Sequence, residues 1–134
     1  MTEHHAALID TMILVAAADA DITDAEFDII GDIVGHLPVF RDYDRTELRL
    51  TLDRVVELLS EEDGLEKGLT SIREALPAKL RETAYALACD VVAADGLATQ
   101  EELRILDLLR ERLEIDRLIA SAIERGARAR FAVV

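Results

Sequence analysis

The chain has no tryptophan, one cysteine, two prolines and six glycines, and aromatic residues fill only 4% of its 134 positions. Each scarcity excludes something. A single cysteine, Cys89, forbids an internal disulfide and any paired-thiol redox chemistry. Few prolines and glycines argue against a turn-rich β fold. With so few aromatics, the core must be built from Leu, Ile, Val and Ala.

Basic residues are scarce as well. Fifteen Lys and Arg stand against 28 Asp and Glu, a formal net charge of −13. The deficit falls on one half: residues 1–67 carry 17 acidic and 5 basic side chains, residues 68–134 carry 11 and 10. Nucleic-acid binding requires a basic footprint that the first half reverses, and anionic lipid surfaces repel it too. Cations, or a basic patch on another protein, are its natural partners. Long apolar runs are also missing. Met12–Ala18 is only seven residues long, too short to span a bilayer. Glu3 and Asp10 stand where a signal peptide carries positive charge. The expectation is a cytoplasmic protein with no direct membrane insertion and no nucleic-acid partner.

What is present is helical periodicity. Leu8, Met12, Val15 and Ala16 mark one face of a first helix over about 3–19, and a second follows Thr23 and closes at Pro38. A third starts near Asp44, where Asp44-x-x-Glu47 has the form of a capping box, and runs to Ser60. Leu65, Leu69, Ile72 and Leu76 define a fourth. A fifth has Pro77 in its first turn and runs to Asp95. A sixth follows Thr99, a seventh carries Ile115–Ile123, and the tail after Gly126 reads as frayed or as a docking strap. The His4–His5 pair reads as a frayed terminus, and His36 as a helix-end residue. The seven Arg of the last third read as a solvated face. Short loops and the lack of any linker predict one all-α domain over 1–134, a compact bundle of about seven helices.

Within it one corner occurs twice. Residues 17–27, Ala17-Ala18-Asp19-Ala20-Asp21-Ile22-Thr23-Asp24-Ala25-Glu26-Phe27, align with residues 93–103, Ala93-Ala94-Asp95-Gly96-Leu97-Ala98-Thr99-Gln100-Glu101-Glu102-Leu103, at a constant offset of 76. The first two helices therefore resemble the fifth and sixth, which predicts a pseudo-two-fold arrangement of helix pairs. Thr23-x-x-Glu26 and Thr99-x-x-Glu102 are capping boxes, the Thr oxygen taking one amide and the Glu reaching back to another. Capping does not account for Asp19 and Asp95, each near the last turn of a helix, where a carboxylate opposes the helix dipole. If the corners face each other, Asp19, Glu26, Asp95 and Glu102 converge, with Asp21 and Glu101 as candidate additions. Two carboxylates about 5 Å apart repel by roughly 3 kcal/mol at an effective dielectric near 20. A proton or a cation must relieve that repulsion. Hard oxygen ligands suit Ca²⁺, Mg²⁺ or Mn²⁺. The plainer reading is two capped corners with ordinary surface acids. No EF-hand loop, phosphate cradle, zinc spacing or Ser-His-Asp set is present, and no organic cofactor is implied.

These corners, and above all Ala93-Ala-Asp-Gly-Leu-x-Thr-x-x-Glu102, resemble the signature of the tellurite-resistance TerB-like family, over roughly residues 6–113. The resemblance implies an all-α fold with the acidic corners on one face and a divalent-metal site at Asp19, Glu26, Asp95 and Glu102. It also implies a non-catalytic stress-response role through membrane-associated protein partners. The first copy departs from the pattern at Ala20, where the glycine is missing. Two other functions remain open: a metal-free acidic adaptor that docks a basic partner, and a carboxylate-metal hydrolase.

Overall fold

A computed structural model describes residues 3–18, 22–94, 96 and 98–134. These residues form seven α-helices: α1 (Glu3–Ala16), α2 (Asp24–His36), α3 (Leu48–Leu59), α4 (Gly64–Ala75), α5 (Arg81–Ala93), α6 (Gln100–Arg112) and α7 (Arg117–Arg130). Three 3₁₀ turns, at Pro38–Phe40, Arg45–Glu47 and Ala78–Leu80, join them, and no strand occurs among the described residues.

The centre of the bundle follows from which helices are apolar on every side. Helix α1 buries ten residues, among them Leu8, Ile9, Met12, Ile13, Leu14 and Val15. Its one buried hydroxyl, on Thr11, donates to the Ala7 carbonyl at 2.7 Å. Helix α5 is the second inner rod, and its Ala84 and Ala88 are small enough to let α1 come close. The amphipathic helices wrap these two. α3 and α4 cover α1, α7 covers α5, and α2 and α6 each lie against both rods. That cross-packing relates the pair α1–α2 to the pair α5–α6, an internal pseudo-symmetry.

Successive helices reverse direction. His5, at the start of α1, donates through Nε2 to the carbonyl of Val39, just past the end of α2. Glu3 and His4 also share a small pocket with Leu76 and Pro77, just ahead of α5. Helices α1 and α5 thus begin at one end of the bundle and run the same way. Arg54 bonds Asp10 at 2.7 Å while Gly68 lies against Leu14 and Leu58, so α3 runs with α1 and α4 against it. Both repeated corners and the α3–α4 turn therefore lie at the end opposite His5.

Several local expectations change. His5 is buried among His4, Phe40 and Tyr43, because its ring fills the gap left as the chain turns after α2. Asp44 caps a 3₁₀ turn by accepting from the Thr46 amide, so the capping box with Glu47 does not form and α3 begins at Leu48. Pro77 precedes a 3₁₀ turn, and α5 starts at Arg81. The segment after Gly126 is neither frayed nor a strap as far as Arg130, since Ala127 is buried and Arg130 pairs with Asp90. Within the arginine-rich last third, Arg112 likewise pairs with Glu66. No helix among the described residues is long and apolar enough to cross a membrane.

Candidate functional site

Each repeated corner leads into a helix whose first turn is locked in the same way. Thr23 has extended backbone, and its Oγ1 accepts from the Glu26 amide at 3.1 Å while Glu26 Oε1 accepts from the Thr23 amide at 3.0 Å. Thr99 and Glu102 repeat this at 3.1 and 2.9 Å. The predicted capping boxes form in both copies.

The surroundings of these glutamates differ from the plainer sequence reading. Neither is a surface acid: Glu26 is 1% exposed and Glu102 2%. The two copies also differ in detail. In the first, the Thr23 hydroxyl additionally donates to Glu26 Oε1 at 3.1 Å, so that oxygen holds two bonds. The other carboxylate oxygen, Glu26 Oε2, is buried with no hydrogen-bond partner among the described residues. An unsatisfied buried polar atom costs about 1–3 kcal/mol, and more when charged.

Asp19, Asp21 and Asp95 lie outside the described residues. Glu101 is exposed and stands at the rim of a pocket of about 790 Å³. Ala17, Ala18 and Ile22 of the first corner share that pocket with Glu101 and Ile105 of α6, so residues of the two copies face one space. Among the described residues, no group of three or more His, Cys, Asp and Glu is placed to hold a metal ion. Gly96, in the second corner, has φ +78 with open space around it, the left-handed conformation glycine tolerates.

A second cleft separates α6 from α7 above α5. The Tyr85 hydroxyl at its floor donates to Glu124 at 2.6 Å. Burial, then that bond to a carboxylate, push the Tyr85 pKa up. Beside it the Cys89 thiol is pushed up to about 12, chiefly by burial and further by Glu124. Such a thiol is an inert core group, as expected for a small buried residue, and has no nucleophilic character near neutral pH.

The Tyr85–Glu124 pair escaped sequence reasoning, because nothing local marks two residues 39 apart on different helices. The same holds for Glu114, which sits at φ 55 after α6 and faces both Arg73 and Arg81. No family model matches the chain, and no curated protein or solved structure matches it.

Proposed function

We propose that this chain is a divalent-cation-binding, non-catalytic module that acts through protein partners. Glu26 carries the reading. Its Oε1 holds two bonds within the cap, and its Oε2 is buried without a partner among the described residues, in the first turn after an acidic corner. Capping accounts for one oxygen of that carboxylate and leaves the other over. A hard cation held by Glu26, Asp19, Asp95 and Glu102, with Asp21 or Glu101 as further oxygen donors, would satisfy it and relieve the repulsion among the acids. Ca²⁺, Mg²⁺ and Mn²⁺ fit an all-carboxylate donor set. The sequence resemblance to the TerB-like family, with its stress-response role, points the same way.

The test is calorimetric titration of Ca²⁺, Mg²⁺, Mn²⁺ and Zn²⁺ into chelator-treated protein, repeated with Asp19→Asn, Asp95→Asn and Glu26→Gln. At least one of the three hard cations is expected to bind more tightly than about 1 mM, a standard free energy near −4 kcal/mol. Each variant is expected to abolish the heat while keeping its helical circular dichroism. Cation at a hundredfold over Kd raises stability by about 2.7 kcal/mol, visible as a higher melting temperature. No heat and no melting shift with any of the cations would end the proposal.

A further inference from the structure

We infer that the groove at the corner end of the bundle is the docking site for a basic amphipathic helix of a partner protein. This rests on the partner-binding half of the proposed function and is independent of its cation half. The groove lies where the end of α1, the end of α3, the start of α4 and the start of α6 meet. Its walls are aliphatic: Ala18, Ile22, Val56, Leu59, Leu65 and Ile105. Val56 is 45% exposed, an apolar side chain left in water beside other partly covered ones.

The rim decides the sign of the partner. Glu57, Glu61, Glu62, Asp63 and Glu101 are all exposed on the elements that frame the groove. Among the described residues only one of these acids, Glu61, has a cation partner, Lys67 at 3.7 Å. Asp63 occupies the cap position of α4, yet its side chain makes no cap bond. Its backbone is held left-handed at φ 62, a conformation that costs a non-glycine residue about 1–2 kcal/mol. The turn beside it is tightly packed: a Cβ on Gly64 would lie 2.0 Å from the Leu58 carbonyl oxygen. An aliphatic groove lined by Glu101, on elements that also carry four exposed acids, matches a ligand with aliphatic anchors flanked by Lys or Arg.

The form of the ligand follows by elimination. An extended strand needs a sheet edge, and there is no strand among the described residues. A polyproline segment needs an aromatic-lined groove, and none of these lining residues is aromatic. Nucleic acid, anionic lipid and a second copy of this end all carry the wrong charge. A helix with anchors at i, i+3, i+4 and i+7 remains.

The probe is a fluorescein-labelled amidated peptide of about 18 residues, leucine at those spacings and lysine elsewhere. The control has the same composition with leucine and lysine spread so that no helical face forms. Anisotropy titrations in chelator should show the helical peptide binding at least about tenfold more tightly than the control, weakening as salt rises from about 0.05 to 0.3 M. Val56→Asp is the discriminating variant. It adds a negative charge, so purely electrostatic capture would strengthen, whereas groove docking should weaken by about tenfold. Glu57→Lys with Glu62→Lys should weaken binding about tenfold, and Asp42→Lys with Glu82→Lys, at the far end, less than about twofold. Circular dichroism confirms that each variant is folded. Equal affinity for the two peptides, tighter binding by Val56→Asp, or equal effects of the two charge-reversal pairs would overturn the inference. The peptide titrations are run in chelator and the cation titrations without peptide, so failure of the groove and failure of the cation site are read separately.

Discussion

Removing the Thr23 hydroxyl should cost much more than removing its counterpart at Thr99, although the two capping boxes look alike in sequence. Thr23 Oγ1 makes two bonds, accepting from the Glu26 amide and donating to Glu26 Oε1, each at 3.1 Å. Among the described residues, Thr99 Oγ1 makes only the first kind, at 3.1 Å. Loss of a cap acceptor costs about 1 kcal/mol, and loss of a hydrogen bond to a buried charged group about 1.5–3 kcal/mol more. Thr99→Ala should therefore lose about 1 kcal/mol, and Thr23→Ala about 2.5–4 kcal/mol. For a domain of this size 1 kcal/mol corresponds to roughly 3–6 °C in melting temperature. Urea unfolding followed by circular dichroism, in chelator so that no cation contributes, measures both. Thr23→Ser retains the hydroxyl and should stay within about 0.5 kcal/mol of the parent. Equal losses for the two alanine variants would refute the reasoning, because the second bond would then contribute nothing.

Two glycines offer an opposed pair. Gly64→Ala should destabilise by about 1–3 kcal/mol or more, since its Cβ meets the Leu58 backbone and no side chain can yield. Gly31→Ala, with nothing within 4 Å, should gain up to about 1 kcal/mol from helix propensity; denaturation midpoints of the same sign would contradict the packing described. Cys89, 4% exposed with a pKa near 12, should resist iodoacetamide at pH 8, where only about one thiol in ten thousand is ionised, and should react once urea unfolds the chain. Stoichiometric labelling of the native protein within minutes would show the thiol to be accessible. Asp10 gives a pH signature: burial raises its pKa despite Arg54, so its ionised form is disfavoured in the folded state. Its contribution to stability is fullest below the ordinary carboxylate pKa and declines as pH rises through the raised folded value. Asp10→Asn should therefore gain stability relative to the parent as pH climbs from about 3.5 to 6.5, and a relative loss would mean that the Arg54 pair dominates.

Helix number, the buried cysteine and both capping boxes were legible because each depends on residues within one turn or one face. Leu65, Leu69, Ile72 and Leu76 announce α4 by spacing alone, and Thr-x-x-Glu announces a helix start wherever the chain is free to cap. Two boundaries shifted because short 3₁₀ turns precede α3 and α5: Asp44 caps the turn Arg45–Glu47 instead of boxing with Glu47, and Pro77 leads into the turn Ala78–Leu80. His5 was misread because its partners, the Val39 carbonyl and the Phe40 and Tyr43 rings, lie beyond the next helix. At the candidate site the pattern Thr-x-x-Glu gave the cap but not the depth. The burial of Glu26 and Glu102 comes from the packing of α2 and α6 across both inner rods, which no local pattern encodes.

The placement of α1 has a consequence for synthesis. Its most extensive partner is α5, so the contacts that hide its apolar sides wait until a further 77 residues, from Ala16 to Ala93, have been made. At about 5–20 residues per second that interval is roughly 4–15 s. During it the nascent chain carries a helix with apolar residues on all sides and only the later amphipathic segments to shield it. Ribosome-bound intermediates should therefore be the most chaperone-dependent form of this protein, and the dependence should end abruptly when α5 emerges.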